Sequence, residues 1–210
     1  MRTFVEIDPA RQTHADIYKV LTSVVTPRPI AWVTSLGATG VLNLAPFSFF
    51  NAVAGDPPYV ALSVGLRDDG SPKDTARNIQ QSGEFVVNLV TEELLGAMNV
   101  SAADFPPDES ELAAAELHTS PSTHVRVPRL AEAQVSLECR LFTSLALGSN
   151  RLFVGEVMMF HIADQLVGPR LHINGFAPIG RLGAPSVYCR TTDRFELPRM
   201  SYAQWQRTRA

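Results

Sequence analysis

The chain has 210 residues, of which 45% are hydrophobic and 19% charged, with a formal net charge of -3 at pH 7. This length and apolar content suffice for one substantial core, so we expect a single domain over 1–210 with a C-terminal tail after about 190. The Lys and Arg residues are scattered and the net charge is negative, which gives nucleic-acid binding no electrostatic basis.

The N-terminal residues show no targeting pattern. Carboxylates interrupt the apolar positions of Met1–Pro9, so no signal-peptide core is present there. No apolar run approaches the roughly 20 residues that cross a bilayer. We therefore expect a cytoplasmic protein that does not bind membranes.

The first half of the chain predicts a short helix and several strands. Asp16–Thr22 is predicted as an amphipathic turn or two. The apolar runs Ile30–Ser35 and Val41–Ala45 flank a glycine-containing turn and predict a hairpin. Short apolar strands are predicted at Tyr59–Val64 and Glu84–Val90.

Further helical segments are predicted, two of them from capping patterns. Asp74–Gln81 follows a loop, with Asp74 as the expected N-cap. A hydroxyl and an acidic first turn start a helix at Thr91 that runs towards Ser101. An alanine-rich segment, Ser110–Glu116, predicts a short helix, and Ser201–Arg207 predicts a terminal helix or an arm.

The strongest pattern is a long hairpin. Apolar residues alternate on one face from Gln134 to Leu147, and a return strand follows from Arg151 to Ala163. Apart from Glu156 and His161 the return strand is apolar on both faces, which predicts burial against a second layer or a partner subunit.

The order of elements predicts an antiparallel barrel with peripheral helices rather than a doubly wound parallel sheet. Cys139 lies in the alternating strand and is interpreted as a small buried hydrophobe. His161 is interpreted as a hydrogen-bonded core residue. Neither the cysteines nor the five histidines have metal-ligand spacing, so no metal is expected.

An unusual segment follows the first hairpin. Asn43–Asn51 places polar residues and Pro46 among three phenylalanines. Pro46 removes a backbone donor, so a strand that opens into a loop would leave polar backbone groups beside aromatic rings, a surface suited to a flat heteroaromatic ligand. A hydrophobic corner between a strand and a loop, with no ligand, fits the same composition.

A second segment combines a lysine with a hydroxyl at the predicted start of a helix. Lys73 supplies charge, Thr75 a donor, and Asn78 lies one turn further along the same face. A cation and a hydroxyl group at a helix start form a reasonable phosphate site. We assign the contact with a phosphate group to these residues and treat Asp74 as a structural cap. An ordinary capped helix start, with no ligand, is the alternative, and this segment taken alone favours it.

Several enzyme signatures are absent from the sequence. Its glycine pairs fit neither a dinucleotide fingerprint nor a P-loop, and no Gly-x-Ser-x-Gly elbow is present. No catalytic residue is therefore assigned. If the protein is an enzyme, a cofactor carries the difficult step.

Taken together, the motifs resemble the flavin reductase-like family of FMN-binding split barrels, including flavoredoxins and the reductase components of nitrilotriacetate monooxygenases. The resemblance extends from about Val20 to Tyr188. It rests on the order of Arg28–Ser35, Asn43–Asn51, Lys73-Asp74-Thr75 with Asn78, Glu84–Asn88, and Ile179–Gly183 with Tyr188.

The resemblance implies a six-stranded antiparallel split β-barrel, usually a homodimer, that holds FMN non-covalently near the subunit interface. The residues it places around the isoalloxazine and ribityl groups are Asn43, Ala45, Phe47, Ser48, Phe49 and Asn51. Those it places near the phosphate are Lys73, Thr75 and Asn78. Weaker candidates are Arg28 and Trp32 on the adjacent strand and Arg181 from the tail or the partner subunit. The Asp104–Glu116 segment is interpreted as a variable loop that shapes substrate access.

The implied activity is an NAD(P)H-dependent flavin reductase, with NADH or NADPH as a transient co-substrate and a flavin-dependent monooxygenase or another electron acceptor as partner. Hydride transfer to a flavin needs ring stacking more than a catalytic acid or base. The alternative is an FMN-binding electron carrier or sensor without nicotinamide-dependent turnover. The motif order fits a split-barrel oxidase of the pyridoxamine-phosphate type less well.

Overall fold

The computed structural model describes residues 2–106, 108–183 and 185–208. Its strands are β1 (Arg28–Pro29), β2 (Ala31–Leu36), β3 (Leu42–Phe47), β4 (Phe50–Gly55), β5 (Pro58–Gly65), β6 (Glu84–Leu89), β7 (Thr119–Ser120), β8 (Arg129–Leu130), β9 (Val135–Leu147), β10 (Asn150–Ile162), β11 (Gly180–Arg181) and β12 (Tyr188–Cys189). Its α-helices are α1 (His14–Val24), α2 (Asp74–Ser82), α3 (Leu95–Val100), α4 (Glu111–Ala114) and α5 (Tyr202–Arg207). The prediction of a mainly β fold with peripheral helices is confirmed.

The main sheet has seven antiparallel strands in the order β3-β2-β6-β9-β10-β5-β4. Its two edges, β3 and β4, are consecutive in the chain and are separated by Ser48-Phe49. At this point the chain leaves β2 and pairs with β5, since Ser63 N donates to the Phe49 carbonyl at 2.8 Å. The sheet is not closed, and it has seven strands rather than the expected six, because this change of partner divides one extended segment into two edge strands.

Both predicted hairpins are confirmed. The first joins β2 to β3, and the second joins β9 to β10. The predicted alternation in β9 stops at a bulge, where Val154 opposes Thr143 but Gly155 opposes Leu141. Beyond the bulge the apolar side chains of both faces are exposed instead of forming the expected inner face.

The sheet is covered on both faces. Alternate residues of β2 point in opposite directions, so Val33 joins one apolar cluster with Phe85 and Phe153, whereas Trp32 joins a second cluster with Leu44. The first cluster includes Ile79 of α2. Cys139 lies fully buried in this cluster, as predicted.

The predicted helices are present, and α2 starts at the predicted residue, Asp74. The segment after Thr91 begins as a 3-10 turn over Glu92–Leu94 and becomes α-helical as α3. Ser110 caps α4, and Ser201 caps α5. Across the described residues, no helix has the length and apolar composition needed to span a membrane.

Candidate functional site

A groove of about 760 Å³ runs between helix α1 and Ser48-Phe49, the two residues at which the chain changes its partner strand. We call it the main groove. One wall is the segment Pro46–Phe49, and the floor includes Ser63 and Gly65 of β5. The far end reaches Arg181 and Tyr188 of the paired strands β11 and β12. The phenylalanine-rich segment predicted as a ligand surface therefore faces the largest of the described pockets.

Helix α1 forms the wall opposite this segment. His14, Ile17, Tyr18 and Leu21 line the main groove, and the Tyr18 and Phe49 ring centroids lie 6.1 Å apart. The sequence analysis did not assign these residues to the site. Their i, i+3, i+4, i+7 spacing is the signal that indicates one shared helical face.

A narrower pocket of about 80 Å³, which we call the neck, continues the main groove past Phe47 and Lys73. Its walls come from β3, through Asn43 and Ala45, and from the start of α2, through Thr75. Asn43 Nδ2 donates to Thr75 Oγ1 at 2.8 Å. The two motifs that the sequence predicted separately are thus in direct contact.

The start of α2 lacks the cap that was predicted for it. Lys73 is the N-cap residue and no side chain caps the helix, so the prediction that Asp74 is the cap is wrong. Asp74 is instead the first helical residue, and its carboxylate pairs with Arg67 and Arg77. Because these two guanidinium groups take up the carboxylate, Asp74 does not compete for the first-turn amides.

Lys73 differs from its cationic neighbours. Within the described residues, its ammonium group has no hydrogen bond or ion pair, although it lines both the main groove and the neck. A cation, a hydroxyl group and an uncapped helix start therefore meet at the neck. This combination is typical of an anion site.

Two predicted site residues are buried. Trp32 is 0% exposed, and its Nε1 donates to Ser101 Oγ at 2.8 Å, so no surface of Trp32 faces the main groove. Asn78 is 3% exposed and donates to Ser35 Oγ at 3.2 Å. Asn78 reaches a different pocket on the far side of the neck.

The guanidinium group of Arg28 is bonded to the backbone. Its Nη1 donates to the carbonyls of Thr22 at 2.5 Å and Val25 at 2.8 Å, and its Nη2 donates to that of Leu182 at 2.7 Å. Burial lowers the pKa of Arg28 from its usual value. Arg28 also donates from Nε to Ser48 Oγ at 3.4 Å, so it links α1 and Leu182 to the wall of the main groove.

Arg181 and Asn51 lie at the periphery. Arg181 stacks over the Tyr188 ring, with 4.6 Å from the guanidinium carbon to the ring centroid, and hydrogen-bonds the Tyr188 hydroxyl within this chain. Asn51 is exposed on the edge strand β4, where its side chain accepts from Ala52 N at 2.9 Å. Arg181 lines the main groove, whereas Asn51 does not line any of the three described pockets.

A further residue at the neck comes from the segment interpreted as a variable loop. Glu111 is 6% exposed and accepts from Leu44 N at 2.8 Å. Burial raises the pKa of the Glu111 carboxyl group, although hydrogen bonds from backbone amides act in the opposite direction. Glu111 therefore holds α4 against the free edge of β3, a role that no local pattern indicates.

Comparisons with known proteins agree with this architecture. A protein of Deinococcus radiodurans is 44% identical over 197 residues, which span 90% of this chain and 87% of that protein. Nitrilotriacetate monooxygenase component B from Bacillus cereus has a TM-score of 0.89 at 40% identity, over 94% of this chain and 100% of that chain. The 2-nitrobenzoate 2-nitroreductase NbaA of Pseudomonas fluorescens has a TM-score of 0.85 at 35% identity, over 94% and 98%.

The predicted likeness to flavoredoxin is also confirmed at the level of the fold. The flavoredoxin of Desulfovibrio vulgaris has a TM-score of 0.73 at 18% identity, over 85% of this chain and 94% of that chain. The family described as flavin reductase like domain matches residues 23–190, which is most of the chain. This chain is a member of the flavin reductase-like family.

Proposed function

We propose that this protein binds FMN and is an NAD(P)H-dependent oxidoreductase that reduces flavin. The observation that carries the proposal is the continuity of the main groove with the neck at Phe47 and Lys73. A flat ring system and a phosphate on one flexible chain need an aromatic groove joined to an anion site. The family of the chain supports the same conclusion.

The groups at the neck fit a phosphate. The Lys73 ammonium has no partner among the described residues, and α2 begins without a side-chain cap. Thr75 accepts from Asn43, which leaves the Thr75 hydroxyl hydrogen for a ligand. Lys73 and Thr75 would hold the phosphate, whereas Asn78 orients Ser35 from behind.

The main groove fits the isoalloxazine and ribityl groups. Phe47 and Phe49 supply apolar surface on one wall and α1 supplies the other, so a bound ring is shielded from water on both sides. Ser48 lies between them with a hydroxyl group that Arg28 positions. Bound flavin would supply the redox chemistry by accepting hydride from a nicotinamide and passing electrons onward.

The proposed assembly is a homodimer. At the bulge in β9 and beyond it the apolar side chains are exposed, including Phe142 at 63% and Leu145 at 57%. A second copy covering this part of the sheet would remove these groups from water. The likeness to a monooxygenase component B supports a flavin-dependent monooxygenase as the recipient of electrons.

The proposal is tested with the purified protein and added FMN under anaerobic conditions. A visible flavin spectrum that bleaches with NADH or NADPH, and then recovers on addition of an electron acceptor, is the expected result. Free FMN and a nitroarene serve as separate acceptors, because one of the compared structures is a nitroreductase. Bleaching no faster than that of free flavin would refute the reductase activity and leave the carrier or sensor as the function.

A further inference from the structure

The residues after β12 form an arm that is exposed along most of its length, and we define it as residues 190–208. Its start is tied to the rest of the chain, since Arg190 Nε donates to Glu92 Oε2 at 2.7 Å and Thr191 Oγ1 donates to the Pro178 carbonyl at 2.8 Å. From Phe195 onwards every described residue of the arm is exposed, with Phe195 at 87% and Leu197 at 84%. The arm therefore presents large apolar side chains to water.

The end of the arm is encoded as a helix. Ser201 and Gln204 form a complete capping box at the start of α5, and the Tyr202 and Trp205 rings stack with their centroids 5.5 Å apart. A helix of this length is marginal in water without tertiary packing. Both rings are nevertheless exposed, Tyr202 at 71%. A further surface that covered them would stabilise α5 and remove apolar area from water.

The arm is also basic. Residues 190–209 contain five arginines, one aspartate and one glutamate, although the whole chain has a formal net charge of -3. Arg199 and Arg207 are exposed, and neither side chain forms an ion pair or a hydrogen bond with another described residue. The surface that covers the arm is therefore expected to be acidic.

An acidic surface of this kind borders the neck. Residues 101–117, which we call the acidic segment, contain five carboxylates and no Lys or Arg. Glu111 is buried against β3. The other four are exposed and have no ion pair with any residue that the structure describes: Asp104, Asp108, Glu109 and Glu116. Val100, which precedes the segment, is 40% exposed and adds an apolar contact.

We propose that the arm of one copy docks on the acidic segment of a second copy, so that the homodimer proposed above exchanges its arms. Within one chain both surfaces are exposed, so neither covers the other. In a twofold dimer the contact occurs twice, because each copy offers both surfaces. The exchange rests on the proposed homodimer and adds to the apolar contact at β9.

A docked arm would also border the neck of the second copy. Ala102–Phe105 of the acidic segment line the neck together with Lys73. The arginines of the arm would add positive charge near the lysine that holds the phosphate in the proposed function. Each anion site would then depend on residues from both copies.

The test reverses the charges on each side of the contact. The arm variant carries Arg199→Glu and Arg207→Glu, and the segment variant carries Asp108→Lys and Glu109→Lys. Either variant alone brings like charges together at both contacts and should raise the dissociation constant of the dimer about tenfold, measured by sedimentation at a series of protein concentrations. The matched control is Arg2→Glu with Arg11→Glu, which makes the same change of net charge at exposed arginines outside the arm and should leave the dissociation constant unchanged.

An equimolar mixture of the two variants tests the exchange itself. In a mixed dimer with exchanged arms, the reversed arm meets the reversed segment at one contact, and two unaltered surfaces meet at the other. Both contacts are then attractive, so the mixture should regain the dissociation constant of the unaltered protein. An arm that folds back on its own chain gives no such recovery, because each copy keeps its like charges. Absence of recovery, or unchanged dissociation constants in the separate variants, would overturn the exchange of arms.

FMN titrations of the same samples separate this exchange from the proposed function. The arm variant should bind FMN about threefold more weakly than the control, because arginines near the neck are lost. An unchanged FMN affinity would overturn the contribution of the arm to the neck. Failure of the unaltered protein to bind FMN would refute the proposed function, whereas sedimentation would still decide the exchange. A protein that stays monomeric at every concentration would overturn the exchange without affecting flavin binding.

Discussion

The Asn43 side chain donates to Thr75 Oγ1 at 2.8 Å and joins the edge strand β3 to the first turn of α2. The two residues are 32 positions apart in the chain. Thr75 is 1% exposed, so the bond lies at the inner limit of the neck. It fixes the distance between β3 and the start of α2, which form two walls of the neck.

Thr75→Val should weaken FMN binding about tenfold, because the hydroxyl hydrogen would no longer be available to the phosphate. The free energy of unfolding of the variant should also be lower by about 1–2 kcal/mol, since Asn43 Nδ2 loses its closer acceptor. Thr75→Ser keeps the hydroxyl and is the control for flavin binding. FMN affinity that is unchanged in Thr75→Val would place the phosphate elsewhere.

Lys73→Ala should weaken FMN binding by about 1.5–3 kcal/mol through loss of one charge-assisted hydrogen bond. The affinity of the unaltered protein should also fall more steeply with added salt than that of the variant, because salt screens exposed charges. Lys19→Ala is the matched control, since Lys19 lies on α1 and pairs with Asp16. Fluorescence titration with FMN at two salt concentrations measures both effects. An FMN affinity of Lys73→Ala equal to that of the unaltered protein would contradict the prediction.

The pKa of Glu138 predicts how the stability of the protein depends on pH. Burial alone would raise the pKa of its carboxyl group, but hydrogen bonds from His161, Thr123 and His124 outweigh that effect and lower the pKa to about 2. The folded state therefore favours the charged carboxylate. Its stabilising contribution is complete above the usual pKa of 4.5 and is lost as the pH falls from 4.5 towards about 2.

The matching experiment compares the unaltered protein with Glu138→Gln in urea at several pH values. At pH 7 the variant should have about 1–3 kcal/mol less free energy of unfolding, because a buried, hydrogen-bonded charge is replaced by an amide. This difference should shrink between pH 4.5 and 2. A difference that is constant over this range would contradict the assignment of the low pKa to Glu138.

Gly155 is required by the packing of the central strands. A Cβ at this position would lie 2.5 Å from Phe85 Cζ and 3.3 Å from Cys139 Cβ, and both neighbouring side chains are fully buried. Gly155→Ala should therefore destabilise the protein by about 1–3 kcal/mol through overpacking. The midpoint of urea unfolding measures this effect.

Gly96 offers a matched control for that substitution. A Cβ there would meet no atom within 4 Å, and Gly96 lies in α3, where alanine is the better helix former. Gly96→Ala should be neutral or stabilise the protein by up to about 1 kcal/mol. Equal losses in the two variants would show that contact with Phe85 is not the cause.

The sequence predicted the elements whose signal is local. Alternating apolar residues and short glycine-containing turns identified both hairpins, since the period of a strand and the geometry of a turn depend on near neighbours. The order of motifs identified the family. The prediction from local sequence was wrong at Asp74, because its carboxylate pairs with Arg67, which lies in the loop before the helix.

Longer-range contacts changed the roles of several predicted site residues. The Arg28 guanidinium bonds to carbonyls from two separate parts of the chain, and Trp32 is covered by α3 and its neighbours. Glu111 approaches β3 from a segment that looked variable. Leu182 and Leu44 lie 154 and 67 positions from their partners Arg28 and Glu111, so a local pattern cannot reveal these two contacts.

By itself, the sequence determined the strand pattern, the family and the two segments around the neck. Only the tertiary structure decided that Asn43 contacts Thr75, that α1 forms the second wall of the main groove, and that the sheet has seven strands instead of six. The physical reason is that periodicity and capping are properties of neighbouring residues. Grooves and buried ion pairs form where residues distant in the chain meet, and their energies depend on burial that only the folded chain creates.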